Sequence, residues 1–406
     1  MKSLSTKATS IKPSGIRKFF DLASTMEGVI SLGVGEPDFA TPWHICENAI
    51  HYMSTGHTHY TANRGLLELR EEICKFHKEH YNQIYDPENE VIVTIGGSEA
   101  IDLCMRALLN PGDEVIVLDP NYVAYAPSVI LSDGVVVPLQ LKEENDFKLI
   151  FHEYFKRTKQ LKEENDFKIL PEDLKKVITP KTKAMIINYP SNPTGGVMTK
   201  EDYAKIVDII KESGIYVVSD EIYAELSFDQ PFASLAQFDE IKSQIIVVNG
   251  FSKAYAMTGW RLGYCMANKE LSSVMNKIHQ YVIMSAPVMS QYAGIEAIKN
   301  GYDDVLMMKD DYLKRRNFLV NRLNRMGLKT NMPHGTFYVF CNIQSTGLDS
   351  ETFCEKLLQK QKVACVPGNA FGQSGEGYIR ISYAYSIDHI KEAVVRLEQF
   401  LKDLDK

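Results

Sequence analysis

Short apolar runs alternate with longer amphipathic segments between about residues 90 and 286 of the chain. Several of the apolar runs are continuous, which is typical of strands buried on both faces of a parallel sheet. The predicted strands are residues 91–95, 114–118, 135–139, 184–188, 215–219, 245–249 and 262–267. Amphipathic segments such as 98–109 and 200–212 predict helices between them. This alternation predicts an α/β fold with a mostly parallel sheet and helices on both faces.

The pattern changes after about residue 286, where long amphipathic segments bracket short apolar runs. The predicted helices are 303–326 and 387–402, and the predicted strands are 337–342, 363–366 and 378–383. We therefore predict a large α/β domain at 40–285 and a smaller α+β domain at 286–406. Residues 1–39 are predicted to form an N-terminal arm that packs with the small domain.

One segment of the large domain contains a repeat. Residues 140–148 read QLKEENDFK, and residues 160–168 read the same nine letters. Identity over this length indicates a short tandem duplication. It carries no catalytic constellation, so we predict that segment 140–168 forms an extra surface loop or short helix between two strands.

Composition excludes several classes of protein. The 406 residues contain 45 Lys and Arg against 52 Asp and Glu, a net charge of −7, and no basic run that would bind nucleic acid. No stretch of about 18 apolar residues predicts a membrane span, and the polar N-terminus does not resemble a signal peptide. We therefore predict a cytoplasmic protein that binds neither nucleic acid nor membrane.

Cysteine and histidine spacing predicts no metal site. Seven cysteines are scattered through the chain without any C-x-x-C pair, which favours neither a disulfide framework nor zinc binding. His57 and His59 alternate in sequence near His44 and His51, but no cysteine or carboxylate stands at ligand spacing beside them. An extended segment explains this alternation equally well.

Familiar nucleotide and hydrolase motifs are absent from the sequence. Gly33-Val34-Gly35-Glu36 begins like a dinucleotide fingerprint, but Asp38 stands where the third glycine belongs. There is no G-x-x-x-x-G-K-[ST] phosphate loop, and no G-x-S-x-G elbow indicates a serine hydrolase.

Polar residues instead follow the carboxyl ends of the predicted strands, where open α/β sheets bind ligands. Gly96-Gly97-Ser98-Glu99 opens a helix after the first strand, and free backbone N–H groups there suit a phosphate. The prolines of Tyr189-Pro190-Ser191-Asn192-Pro193-Thr194-Gly195 fix the backbone around Asn192. Asp220 and Tyr223 follow the next strand, although a helix cap explains the acid as well.

Lys253 follows the strand at 245–249 within a segment rich in glycine and aromatic residues. Burial there would lower the pKa of its amine and make it nucleophilic. An amine nucleophile, a buried carboxylate, a tyrosine and a phosphate cradle together match an aldehyde cofactor that carries a phosphate and a pyridine ring.

These segments resemble the class I aminotransferases, which are fold-type I enzymes dependent on pyridoxal 5'-phosphate. The resemblance runs from Gly33-Val34-Gly35-Glu36-Pro37-Asp38-Phe39 to Tyr378-Ile379-Arg380-Ile381-Ser382-Tyr383, and the SKxxxMTGWRxGY segment at 252–264 is highly specific. It implies the fold-type I architecture, the pyridoxal phosphate cofactor and ping-pong transfer of an amino group. The duplication at 140–168 departs from the family pattern.

The resemblance also implies roles for individual residues. Lys253 is the implied Schiff-base residue and proton shuttle, Asp220 pairs with the pyridine nitrogen, and Tyr223 and Asn192 contact the ring hydroxyl. The other implied cofactor contacts are Tyr122 on the ring face, and Gly97, Ser98, Glu99, Ser252 and Arg261 at the phosphate. Arg380 and Gly35 bind the substrate carboxylate, and Asn192 is implied as a substrate-binding residue as well. Tyr60 matches a tyrosine that reaches the neighbouring subunit's phosphate, which implies an obligate homodimer.

The substrate is less well determined. No second arginine matches a ligand for a distal carboxylate, and residues 279–287 resemble bacterial relatives that act on neutral or aromatic amino acids, although a linking helix explains them as well. We predict broad or aromatic specificity with an acceptor such as 2-oxoglutarate. An aspartate-type aminotransferase and a carbon–sulfur β-lyase remain alternatives. A non-enzymatic ligand-sensing domain is disfavoured, since few residues precede Gly33 for a DNA-binding module.

Overall fold

The computed structural model describes residues 2–11, 26–141 and 167–404. Most of the duplicated segment, residues 142–166, lies outside this range, so its predicted loop or helix stays a prediction. The strands are β1 Ile30–Ser31, β2 Val91–Thr94, β3 Glu114–Asp119, β4 Val135–Gln140, β5 Thr182–Asn188, β6 Tyr216–Asp220, β7 Ile245–Gly250, β8 Gly263–Met266, β9 Tyr338–Asn342, β10 Val363–Ala364, β11 Val366–Pro367 and β12 Tyr378–Ser382.

Helices separate most of these strands. They are α1 Thr6–Ser10, α2 Trp43–Ser54, α3 Leu67–Tyr81, α4 Gly96–Leu108, α5 Tyr125–Leu131, α6 Pro171–Val177, α7 Lys200–Ser213, α8 Lys269–Val282, α9 Val288–Asn300, α10 Tyr302–Arg325, α11 Ser350–Gln361 and α12 Ile387–Leu404. Within the described ranges, no helix combines the length and apolarity needed to cross a membrane.

The central sheet has seven strands in the order β2-β8-β7-β6-β5-β3-β4. Strand β8 pairs antiparallel with both of its neighbours, and the other pairings in this sheet are parallel. Every residue of β2 and β7 is buried, because helices cover both faces of the sheet. The carboxyl ends of β2, β3, β5, β6 and β7 therefore meet at one edge. These findings confirm the predicted α/β fold.

A second sheet holds β9, β11 and β12 in antiparallel pairing near the C-terminal end of the chain. The apolar run predicted as one strand at 363–366 divides here into two. Its first half, β10, pairs in parallel with β1 from the N-terminal region, and its second half, β11, pairs with β12. Cys365 separates the two halves, and the two strands belong to different sheets.

The N-terminal region makes two separate sets of contacts. Backbone hydrogen bonds join residues 30–32 to β10 and β12, including Leu32 N to Ala364 O at 2.7 Å. Farther upstream, Lys7 Nζ donates to Asp133 Oδ2 at 2.8 Å, which places α1 against the large sheet's α5. The predicted boundaries at 39 and 285 stay predictions.

The segment before β9 contacts the loop that follows β5. His334 N and Gly335 N both donate to Gly195 O, at 2.9 and 3.1 Å. Gly195 has a φ of +70°, and a Cβ at this position would lie 2.3 Å from Pro333 Cβ. Because a side chain would be both strained and obstructed, only glycine permits this close approach.

Candidate active site

A cavity of about 560 Å³ opens at the carboxyl edge of the parallel strands. Its volume lies within the range of cofactor and substrate sites. The residues predicted to act together converge here from several elements. Those lining the cavity are Gly35, Gly97, Ser98, Tyr122, Asn192, Asp220, Tyr223, Ser252, Lys253, Arg261 and Arg380.

Lys253 follows β7 and is held by the N-terminal loop. Its Nζ donates to Gly35 O at 2.6 Å. Burial, reinforced by the nearby positive charge of Arg380, lowers the pKa of the amine to about 8. A substantial neutral fraction is therefore present near neutral pH, and the neutral form is the nucleophile.

Asp220 is the last residue of β6 and is buried beneath the cavity. The Tyr125 hydroxyl donates to its Oδ2 at 2.7 Å, and Ile222 N donates to its Oδ1 at 3.2 Å. Burial raises the pKa of this carboxyl to about 6, and the Tyr125 hydrogen bond acts in the opposite direction. A carboxylate held in this way is well placed to bind a cationic ring nitrogen.

A chain of amides connects Asp220 to Arg380. Asn188 Nδ2 donates to the Asp220 carbonyl at 2.9 Å, and Asn192 N donates to Asn188 Oδ1 at the same distance. Arg380 Nη1 in turn donates to Asn192 Oδ1 at 2.9 Å. Asn188 therefore holds the backbone N–H of Asn192, and Arg380 holds its side-chain oxygen.

The Arg380 guanidinium is buried between two aromatic rings. It lies 4.3 Å from the centroid of Tyr338 and 4.7 Å from that of Phe371, and its Nη2 donates to Gly33 O at 2.6 Å. Its Nε has no hydrogen-bond partner within the described residues. An unpartnered buried donor on a cation favours an anionic ligand.

Tyr223 is also fixed by a residue of β9. Its hydroxyl and that of Tyr338 form a hydrogen bond of 2.9 Å, and both rings are buried. Burial raises the pKa of both phenols above the ordinary value. Tyr223 therefore stays protonated and is available as a neutral donor.

The N-terminus of α4 is open toward the cavity. The residue before the helix is Ile95, whose side chain caps nothing, so the first N–H groups stay available for an anion. Gly96 has a φ of +71°, and a Cβ there would lie 2.9 Å from Arg261 Nη2. Two glycines, a serine and an arginine thus form a cradle of the kind that holds phosphate.

Two predicted cofactor residues lie apart from the others. The Tyr60 side chain is 85% exposed and does not line the cavity of its own chain. The Glu99 carboxylate lies away from the cradle: its Oε2 accepts from Ile95 N at 2.5 Å, and its Oε1 contacts His279 Nδ1 at 2.6 Å. This leaves the backbone of Glu99, and not its carboxylate, to contact a phosphate at the cradle.

Sequence reasoning missed three residues that shape the site. Tyr125, Asn188 and Tyr338 line the cavity and orient Asp220, Asn192 and Tyr223 respectively. A signal existed for Asn188, which is a polar residue at the carboxyl end of an apolar strand. None existed for Tyr338, because its partner lies 115 residues away.

Comparison with known proteins decides the family. The sequence profile described as aminotransferase class I and II matches residues 27–397. The chain belongs to this aminotransferase family. It is 48% identical to the putative aminotransferase YugH of Bacillus subtilis, over 98% of each chain. It is also 42% identical to an aspartate aminotransferase of Pyrococcus abyssi, over 99% of each chain.

A solved aminotransferase structure confirms the fold. The aromatic aminotransferase from Pyrococcus horikoshii is 40% identical and superposes with a TM-score of 0.86, covering 96% of this chain and 99% of that one. The aminotransferase described here is accordingly a fold-type I enzyme. Enzymes of this family use pyridoxal 5'-phosphate.

The residues present suit that cofactor. The glycine cradle with Arg261 offers donors to a phosphate, and the buried Asp220 carboxylate offers a counter-charge to a ring nitrogen. Lys253 supplies an amine of lowered pKa between them. Pyridoxal phosphate carries an anionic phosphate at one end, a cationic ring nitrogen at the other and an electrophilic aldehyde. These three groups match the cradle, the carboxylate and the amine.

Two further carboxylates are buried directly behind Asp220. Glu221 Oε1 accepts from Ser219 and Ser234, and Glu225 Oε1 accepts from the Tyr81 hydroxyl at 2.8 Å. Their Oε2 atoms have no partner in the described part of the chain. Burial raises the pKa of both carboxyls to about 7.

These raised pKa values predict that Glu221 and Glu225 contribute less to the stability of the fold as pH rises. A carboxyl with a folded pKa of about 7 and an unfolded pKa near 4.5 stabilises the fold fully below pH 4.5, and this contribution disappears as pH rises through 7. The double variant Glu221→Gln/Glu225→Gln keeps both groups neutral. We expect its unfolding free energy to decline less between pH 5 and 8, by up to about 3 kcal/mol per group.

Thermal unfolding of the cofactor-free protein across this pH range measures the effect. Glu68→Gln is the matched control, because that side chain is about half exposed on α3. Parallel pH profiles for the wild type and the double variant would contradict the assignment.

Proposed function

We propose that this aminotransferase moves the α-amino group of an L-amino acid with a neutral or aromatic side chain to a 2-oxo acid such as 2-oxoglutarate. The observation that supports this substrate class is the distribution of charge around the cavity. Its cationic lining residues are Lys253, Arg261 and Arg380 within the described ranges. Each has a role at the common part of the substrate or at the cofactor, so none is left for a distal carboxylate.

The wall beside these residues is largely apolar. Val34, Ile101, Val123 and Ile222 line the cavity together with the Tyr122 ring. Apolar walls favour a hydrophobic side chain through burial, at about 25 cal/mol for each Å² of apolar surface removed from water. An aspartate side chain would lose hydration here without gaining a charged partner, and the distal carboxylate of 2-oxoglutarate meets the same wall. The lining therefore favours a hydrophobic amino donor without excluding an acidic acceptor.

Arg380 is proposed to bind the substrate α-carboxylate. Its guanidinium is already fixed by Asn192, Gly33 and two aromatic rings, so little side-chain freedom is lost on binding. A planar guanidinium makes two parallel hydrogen bonds to a carboxylate, which a lysine cannot reproduce. The substrate is thereby oriented with Cα toward Lys253.

Lys253 is proposed to act as nucleophile and then as proton carrier. When bound, pyridoxal phosphate supplies an aldehyde for the amino group and a ring that accepts electrons from Cα. Once free of the cofactor, the Lys253 amine would take up the proton of the substrate Cα and would then serve as the acid that returns it. A flexible stem and a pKa near the working pH suit both transfers.

Asp220, Tyr223, Asn192 and Tyr122 are proposed to hold the cofactor ring. Asp220 keeps a proton on the ring nitrogen, because a buried carboxylate stabilises an adjacent cation. Tyr223 donates to the ring hydroxyl, Asn192 contacts the same oxygen, and Tyr122 stacks on the ring face. Gly97, Ser98, the Glu99 backbone, Ser252 and Arg261 surround the phosphate.

We propose that the enzyme is a homodimer with shared active sites in the cytoplasm. Tyr60 is exposed in the single chain, and Tyr281 is exposed to a similar extent, as expected of side chains that another subunit covers. Tyr60 would then reach the phosphate of the partner subunit. The seven cysteines are all free, which suits a reducing compartment.

Aspartate is the second candidate amino donor, since a relative of 42% identity is named an aspartate aminotransferase. A panel of L-amino acids with 2-oxoglutarate tests both candidates on cofactor-loaded enzyme. We expect phenylalanine or tyrosine to exceed aspartate in kcat/KM by at least about tenfold, a difference of 1.4 kcal/mol. Aspartate ahead of both by a hundredfold would reverse the assignment. Pyruvate and ammonia formed from cysteine without an acceptor would indicate the β-lyase alternative instead.

A further inference from the structure

The Glu99 carboxylate presents a physical problem. It lies one residue after Ser98, in the first turn of α4, where the proposed phosphate would place at least one negative charge nearby. Like charges at this distance repel, and the side chain is only 9% exposed, so water screens the repulsion weakly. The Glu99 carboxylate must therefore be held in an orientation that limits its repulsion of the phosphate.

The hydrogen bonds of the Glu99 carboxylate hold it in such an orientation. Glu99 Oε2 accepts from the backbone N–H of Ile95, the residue just before α4, at 2.5 Å. This contact turns the carboxylate back along the chain and away from the N–H groups of Gly97 and Ser98. It also fixes the backbone that enters the glycine turn, where Gly96 has a φ of +71°.

A second contact fixes the carboxylate itself. His279 Nδ1 lies 2.6 Å from Glu99 Oε1, and the imidazole is fully buried on α8. Its Nε2 has no hydrogen-bond partner among the described residues. An ionised carboxylate only accepts hydrogen bonds, so Nδ1 carries the hydrogen in this pair. His279 therefore holds Glu99 in its turned-back orientation from a helix 180 residues away in sequence.

We propose that Glu99 and His279 form a positioning pair that keeps the N-terminus of α4 open for the cofactor phosphate. His279 binds the carboxylate, the carboxylate binds Ile95 N–H, and the N–H groups of Gly97 and Ser98 stay free. This inference rests on the proposed placement of the phosphate at α4. Neither Glu99 nor His279 lines the cavity.

The proposal predicts a selective loss of affinity for the phosphorylated cofactor. In His279→Leu the donor is lost, the volume stays similar, and only the Ile95 N–H still holds the Glu99 carboxylate away from the phosphate. A lost charge-assisted hydrogen bond corresponds to a roughly 10- to 100-fold weaker affinity. We expect the Kd of the cofactor-free protein for pyridoxal phosphate to rise by that factor, and its Kd for pyridoxal, which lacks the phosphate, to change less than about threefold.

Two variants separate positioning from general stability. His279→Asn places an amide N–H near the position of Nδ1, and we expect it to recover most of the affinity for pyridoxal phosphate. Ser272→Ala is the control, because Ser272 is also buried on α8, seven residues before His279, and accepts from Arg64 Nη1 at 2.6 Å. We expect it to leave the ratio of the two Kd values unchanged.

Titration of absorbance with each cofactor form, together with thermal unfolding of each cofactor-free variant, measures these effects. An equal rise in both Kd values for His279→Leu, or no rise in either, would overturn the proposal. If His279→Leu does not fold, the same comparison is made with His279→Met, which also lacks the donor to Glu99 Oε1, and an unchanged ratio of the two Kd values overturns the proposal. Failure of the wild type to bind pyridoxal phosphate would instead contradict the proposed function itself.

Discussion

Lys253→Ala is expected to lower the turnover of this aminotransferase by a factor of about 10⁴ or more, which is the upper range for a positioned general acid–base group. The substitution removes both the nucleophile and the proton carrier. It also removes the hydrogen bond from Nζ to Gly35 O, so the N-terminal loop loses one of its contacts to the cavity. Steady-state kinetics and the visible absorption of the bound cofactor measure the loss.

Lys205→Ala is the matched control for this substitution. Its side chain is 62% exposed on α7, where it pairs with Asp202, and we expect unchanged turnover. Borohydride reduction of the cofactor-loaded wild type, followed by peptide mapping, should place the label on the peptide that contains Lys253. Near-normal turnover in Lys253→Ala, or a label on another lysine, would assign the nucleophile elsewhere.

The lowered pKa of Lys253 adds a dependence on pH. With a pKa of about 8, roughly 1% of the amine is neutral at pH 6 and half is neutral at pH 8. Because the neutral amine attacks the aldehyde, the rate at which cofactor-free protein captures pyridoxal phosphate should rise across this interval and level off above it.

Asp220→Asn is expected to reduce kcat by about 100- to 1,000-fold while the fold is retained. An asparagine keeps an oxygen for Ile222 N and a polar contact to Tyr125, so the local hydrogen bonds survive. It cannot carry the negative charge that holds a proton on the ring nitrogen, and loss of one preorganised electrostatic partner has an effect of this size. Turnover and thermal unfolding, measured together, separate chemistry from stability.

The control and the pH profile make this second prediction specific. Asp208→Asn lies on an exposed position of α7, and it should leave kcat unchanged. Burial raises the pKa of Asp220 to about 6 in the cofactor-free protein, so its affinity for pyridoxal phosphate should fall as pH drops below 6 and the carboxylate is lost. Near-normal turnover in Asp220→Asn would remove this residue from the ring nitrogen.

Much of the fold could be predicted because its strands are buried on both faces. The runs predicted at 245–249 and 184–188 match β7 and β5 to within two residues at either end. Continuous burial leaves an apolar signal that is local in sequence. The run at 363–366 was correctly predicted as extended, but its division between β10 and β11 was not. That division depends on two partners, β1 and β12, which no local pattern specifies.

The site residues likewise divide into those with a local sequence signal and those that depend on distant partners. Lys253 and Asp220 could be predicted because each follows the carboxyl end of an apolar strand. The orientation of the Glu99 side chain could not, because it depends on His279 from a distant helix. The buried hydroxyl of Tyr125 was missed for a similar reason: its role toward Asp220 becomes visible only when α5 is packed on the sheet.

The backbone pairing at Gly195 has a consequence for how substrate preference can change in this family. Three residues before that glycine, Asn192 binds Arg380, so the residue proposed to bind the α-carboxylate lies beside a segment fixed by main-chain hydrogen bonds. The apolar wall formed by Val34, Ile101 and Val123 stands outside this anchor. Exchange of wall residues can therefore change the substrate preference without disturbing the contact between Asn192 and Arg380. Homologues named for aspartate and for aromatic substrates can in this way share one scaffold.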